Sequence, residues 1–162
     1  MQCPACGFRD DSVTPADAAV AVRSYPRRYR AVLVRPDDED GAEVVRRPGP
    51  DGWSALDHAA HAASSLDAAA EALRLVSIEE QPLVALAPER PERAGGVDEV
   101  LGRLAAAAER AAAVIERVQG KDWERRGRLH EDESVTALDL AKHAVHEGVH
   151  HLRAAERAVS TG

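Results

Sequence analysis

Apolar residues along this chain recur at the i, i+3, i+4 and i+7 spacing of an amphipathic helix, and strand-type alternation is nearly absent. The clearest stripe is Leu101, Leu104, Ala108, Ala111 and Ile115. Three capping boxes mark helix starts: Thr14-Pro15-Ala16-Asp17, Ser54-Ala55-Leu56-Asp57 and Thr136-Ala137-Leu138-Asp139. In each, a hydroxyl accepts from an orphan backbone N–H, and the acid three residues on reaches back. Pro15 sits at the first helical position, where its missing N–H costs nothing. Val135 and Leu140 are spaced to staple the last start.

These signals predict four helices, from about Pro15 to Val34, Ser54 to Ser77, Val97 to Gln119 and Ala137 to Val159. Pro26 is expected to kink or break the first. Arg35–Gly52, rich in Asp, Pro and Gly, reads as a loop. Gln81–Gly96 carries Pro82, Pro88 and Pro91 and reads as a crossover; Gly120–Ser134, with Trp123, reads as a polar connection. The expectation is an all-α four-helix bundle over residues 13–162, preceded by a separate segment, 1–12.

Composition supports one domain. The chain has 162 residues, aromatics are 3%, and alanine is abundant, so the core must be built from small side chains. A net charge of −7 argues against a nucleic-acid footprint. No apolar run has the length of a membrane span, and no signal peptide is evident, so a cytoplasmic location is expected.

The two cysteines lie in Cys3-Pro4-Ala5-Cys6-Gly7. That is half of a zinc knuckle, and no second CxxC follows. A structural metal would need ligands from elsewhere, and a redox role would need a βαβ context that is missing. The expectation is a loosely tucked terminal motif.

The densest chemistry is Ala144-Val145-His146-Glu147-Gly148-Val149-His150-His151-Leu152. Two i, i+4 pairs compete there: His146 with His150, and Glu147 with His151. At ~100° per residue, Leu138, Ala141, Val145, Gly148, Leu152, Ala155 and Val159 form the main apolar stripe. Leu140, Ala144, Glu147 and His151 form a row beside it. An apolar row that turns into Glu and His describes a core wall that becomes a polar pocket, so Glu147 and His151 are expected to face inward. His143, His146 and His150 are expected to face solvent or stand behind the ligands, and His58 and His130 to carry no chemistry. His146-Glu147-Gly148-Val149-His150 also fits HExxH. A peptidase of that kind needs a third ligand further on and a cleft framed by a sheet, and neither is in view.

Trp53-Ser54-Ala55-Leu56-Asp57-His58-Ala59-Ala60-His61 resembles the second-helix signature of DinB/YfiT-like proteins, with a ligand histidine eight residues after the Trp. His150-His151-Leu152 resembles the paired histidine of their last helix, whose second member is a ligand. Glu147 stands where many members have His, and where the mycothiol-dependent maleylpyruvate isomerases have Glu. The resemblance thus implies a metal set of His61, Glu147 and His151 in a bundle of up-down-down-up type. Cys3–Phe8 and Trp123-Glu124-Arg125-Arg126-Gly127 are similar to motifs of an actinobacterial DinB-like group. That group has an acid three residues after the last ligand; here Ala154 stands there, which leaves His151 to be oriented by another group.

The resemblance further implies a divalent metal, zinc or nickel, with an open position that can hold a thiol as thiolate. It points to a metal-dependent thiol S-transferase or thiol-dependent isomerase acting on a small electrophile, with mycothiol as the natural thiol. Arg125 and Arg126 are candidates for binding an anionic substrate. The second reading is a non-catalytic metal- or ligand-binding bundle, possibly stress-related. The second reading includes assembly as a homodimer through the alanine-rich faces, and the partners expected are a small-molecule substrate, with no nucleic acid and no membrane.

Overall fold

The three capping boxes form as the sequence implies. Thr14, Ser54 and Thr136 each accept from the N–H three residues on, and Asp17, Asp57 and Asp139 each accept from the cap N–H. They open α1 (Pro15–Leu33), α3 (Ala55–Ile78) and α5 (Ala137–Ser160). The fourth long helix is α4 (Val97–Arg117), and α2 (Gly41–Val44) is a single turn in the first connection. This is a computed structural model, and it describes residues 2–35, 41–88, 94–130 and 132–161. Part of the expected Arg35–Gly52 loop, and Pro91 of the crossover, lie outside the described residues.

The long helices form a four-helix bundle. Both α1 and α3 pack along α4 and α5, while α1 and α3 barely touch. The first two long helices are therefore diagonal partners, which is why a long connection separates them. Alanines fill much of the interior, and the leucine stripe of α4 is buried as expected. Among the described residues, no helix is long and apolar enough to cross a membrane.

The expected break at Pro26 does not occur, and α1 runs through it unbroken. Pro26 removes one donor from the helix ladder. Tyr25 and Tyr29, on the face turned toward α5, are fully buried and offset that loss. The Tyr25 hydroxyl donates to the Val145 carbonyl at 2.6 Å, and that of Tyr29 to the Gly148 carbonyl at 2.7 Å. These two bonds clamp the turn of α5 that carries Glu147. Gly148 makes the clamp possible, because a Cβ there would lie 2.1 Å from Cε2 of Tyr25.

The polar connection before α5 is not a plain loop. Arg126–His130 (β1) and Glu133–Thr136 (β2) form an antiparallel hairpin, with Arg126 opposite Thr136 and Gly127 opposite Val135. The hairpin is tied to the crossover, where Arg128 N–H donates to Pro82 O and Val84 N–H donates to Arg128 O, both at 2.8 Å. Short strands rich in Arg, Glu and Ser carry little apolar alternation, so the periodicity did not reveal them.

Candidate metal centre

Helix α3 brings His61 and α5 brings Glu147 and His151 to one point. His61 Nε2 lies 3.1 Å from Glu147 Oε2, and His151 Nε2 lies 3.5 Å from the same oxygen. All three ligand atoms fall within 4.8 Å of one another. His61 is buried, and the other two are half-buried. The i, i+4 spacing of Glu147 and His151 puts both on one row of α5, and the tyrosine clamp fixes that row against α3.

Around these three stand groups that the sequence reading did not assign to the site. Ser65, one turn after His61, donates to Glu147 Oε2 at 3.3 Å and lies 3.2 Å from His61 Nε2. His58 was expected to carry no chemistry, yet its Nδ1 lies 2.8 Å from Nδ1 of His151. Its Nε2 lies 3.2 Å from Asp51 Oδ2, off the line of a straight hydrogen bond. Trp53 stacks on His58 at 5.2 Å and on His151 at 5.7 Å, and meets His61 edge-on at 5.4 Å. The signal for His58 and Ser65 was their spacing from His61, at i−3 and i+4 on the same helix face.

These contacts give a direction to the protons. If His151 Nε2 is the ligand atom, its Nδ1 carries the hydrogen and donates to His58 Nδ1. His58 then bears its own hydrogen on Nε2, turned toward the Asp51 carboxylate. His58, with the Asp51 carboxylate beside it, stands where a group could orient His151 in place of the acid missing at Ala154.

Electrostatics favour a neutral His151 and an ionised Glu147, which is the ligand state of each. Burial alone would raise the Glu147 pKa, but hydrogen bonds from His151 and His61 outweigh it and hold Glu147 well below the usual carboxylate range. Burial lowers His151, against the opposing pull of Glu147. Burial, then the neighbouring His151, push His58 down to about 4. A histidine whose folded pKa is depressed stays neutral in the fold but protonates when unfolded. Its contribution is intact above about pH 6.5 and is lost as pH falls toward 4. Metal-free protein is therefore expected to lose about 3 kcal/mol of unfolding free energy between pH 7 and pH 4 from this group. Urea unfolding at the two pH values checks it; an unchanged midpoint would show His58 to be solvated.

The cluster floors an open pocket of about 370 Å³, whose rim includes Trp53, His146 and His150. His146 and His150, expected to face solvent or stand behind the ligands, face the N-terminal segment, where Cys3 Sγ lies 3.7 Å from His150 Nδ1. The segment is not loosely tucked, since Phe8 stacks on His146 at 4.9 Å and Arg157 donates to Ala5 O at 3.4 Å. His130 is exposed at the end of β1.

Arg125 and Arg126 do not reach this pocket. Arg125 donates to the carbonyls of Val76 and Glu79 and so closes the far end of α3. Fifteen residues separate Val76 from His61 on that helix, about 22 Å at 1.5 Å per residue. Arg126 is exposed and donates to Ser134.

The DinB superfamily pattern matches residues 23–155. Among solved structures, the chain is similar to YfiT from Bacillus subtilis, described as a probable metal-dependent hydrolase with an unusual four-helix bundle topology. The two superpose with a TM-score of 0.73 at 16% identity, over 96% of this chain and 93% of that one, a likeness of fold. No match was found among curated proteins.

Proposed function

The chain belongs to the DinB superfamily, and on that premise we propose that His61, Glu147 and His151 hold one divalent ion, zinc or nickel, for chemistry on a small molecule. The observation that carries this reading is the convergence of two imidazole nitrogens and one carboxylate oxygen within 4.8 Å at the floor of an open pocket. Two histidines and a glutamate are a ligand set of catalytic zinc sites, where three protein donors leave a position for an exogenous ligand. Bound there, the ion supplies a Lewis-acidic position that lowers the pKa of a thiol or a water.

The surrounding residues divide the remaining work. Ser65 holds the Glu147 carboxylate. His58 fixes the ring plane and tautomer of His151. Trp53 covers one side of the imidazole cluster and keeps bulk water off it. The reaction that fits is transfer of a low-molecular-weight thiol, mycothiol or similar, to a small electrophile. The pocket is large enough for part of such a thiol and open enough for a second reactant. Metal-assisted hydrolysis, the activity named for YfiT, would use the same position with water.

Replacing His58 with alanine is expected to weaken zinc binding about 10- to 100-fold, the usual worth of a group that orients a ligand histidine. A competition titration against a chromophoric chelator measures it, and unchanged affinity would show that Asp51 and His58 play no supporting part.

The functional test begins with the metal content of purified protein. Metal-loaded protein is then offered a model electrophile with mycothiol and with other small thiols, and separately a model ester. Conjugation that disappears in the His61→Ala variant supports the transferase reading. Metal-loaded protein inert toward every thiol overturns it, and ester cleavage in that case would assign hydrolysis.

A further inference from the structure

We propose that Cys3, Cys6, His146 and His150 form a second, closed metal site that takes zinc and fastens the N-terminal segment onto α5. It is separate from the open site, and it uses the other i, i+4 pair of the same helical turn. Glu147 and His151 point toward α3. His146 and His150, each one position earlier and so ~100° around the helix, point toward the CxxC turn.

Four donors meet there, two sulfurs and two imidazole nitrogens, all within 4.8 Å of one another. Zinc–sulfur bonds of about 2.3 Å and zinc–nitrogen bonds of about 2.0–2.1 Å in a tetrahedron place neighbouring S and N about 3.6 Å apart. The Cys3 Sγ to His150 Nδ1 distance is 3.7 Å. No large movement is needed to close the shell.

The backbone of the turn is built for the same purpose. Gly7 N–H donates to Cys3 O, and Cys3 N–H donates to Phe8 O, both at 2.8 Å. Gly7 has φ +76°, a left-handed conformation that favours glycine. The turn aims both thiols at α5, as one half of a zinc knuckle does, and the helix supplies the missing half.

His146 Nε2 is buried and has no hydrogen-bond partner. An unpaired buried ring nitrogen costs free energy unless something binds in its neighbourhood or the ring shifts to use it. Two thiolates and two neutral imidazoles around Zn²⁺ give a net neutral centre, which suits four half-buried ligands.

The consequence is mechanical. All four vertices are taken by protein, so this site does no chemistry on substrate. It holds the Cys3–Phe8 turn beside His146 and His150, both on the rim of the pocket over the open site. Losing the clip frees the side chains of His146 and His150 at that rim.

Cobalt(II) titration of the reduced, metal-free full-length chain tests the proposal. Thiolate-to-cobalt charge-transfer bands with the intense visible absorption of tetrahedral Co²⁺ are expected, at one equivalent. They should vanish in the Cys3→Ser/Cys6→Ser variant and collapse at least tenfold in His146→Ala/His150→Ala. They should persist in Glu147→Ala, which disables only the open site, so the two sites fail independently. Helical circular dichroism should be preserved in the cysteine variant, since Cys3 and Cys6 lie outside the bundle core. Three results would overturn the proposal: no thiolate band, a band indifferent to the two histidines, or a Cys3–Cys6 disulfide in protein isolated under reducing, oxygen-free conditions.

Discussion

Replacing Glu147 with alanine is expected to weaken zinc binding at the open site by more than ~100-fold, about 3 kcal/mol, because even groups behind a ligand are worth about 10- to 100-fold. Glu147 is the one anionic donor among the three, and its Oε2 is the atom on which His61 and His151 converge. Its removal leaves two neutral imidazoles facing each other without a counter-charge for the cation. The same loss is expected for His61→Ala and His151→Ala. The measurement uses Cys3→Ser/Cys6→Ser protein, so that only the open site is titrated, with a competing chelator as reporter. In that background His146→Ala and His150→Ala should retain most of the affinity. The reverse pattern, with metal lost from the 146 and 150 variants and kept in the 147 and 151 variants, would assign the open site to the wrong pair.

The second large effect falls on a residue with no side chain. Gly148→Ala is expected to destabilise the fold by about 3 kcal/mol, at the upper end for overpacking of a tight core. A Cβ at 148 would lie 2.1 Å from Cε2 and 2.4 Å from Cζ of Tyr25, well inside any real contact. Tyr25 has nowhere to go: its ring is buried and its hydroxyl is committed to Val145 O. Either the ring swings and abandons that bond, or α5 moves away from α1. Both displace the turn that carries Glu147. For a domain of this length the change should lower Tm by about 6–12 °C, read by calorimetry on metal-free protein. A variant with unchanged Tm would show the α1–α5 contact to be loose, and would remove the clamp from the account of how the ligands are placed.

The helices were legible because their start signals are local. Thr14, Ser54 and Thr136 announce them in four residues, and the structure keeps all three boxes. The inward face of Glu147 and His151 was legible for a similar reason: Leu140 and Ala144, on the same row, are buried. The partnership with His61 was not readable from spacing, since Glu147 lies 86 positions further along the chain; it came from the resemblance. The unbroken course through Pro26 depends on two tyrosines reaching carbonyls on another helix, and no local rule carries that. Likewise His58 looked idle because its partner, His151, is distant along the chain. The Cys3–Cys6 turn was recognised as half of a zinc knuckle, and the histidines it meets, His146 and His150, were expected to face solvent or stand behind the ligands. These three share one cause, a contact between residues far apart in sequence, whereas the β1–β2 hairpin escaped because its short polar strands carry little apolar alternation.

The account rests on one ion held by His61, Glu147 and His151, and crystals grown with zinc test it by anomalous diffraction at the zinc absorption edge. The predicted result is a peak bonded to His61 Nε2, Glu147 Oε2 and His151 Nε2 at about 2.0–2.2 Å, with a solvent atom completing the shell. A peak that omits His61, or no peak among these three residues in protein that binds zinc elsewhere, would contradict it.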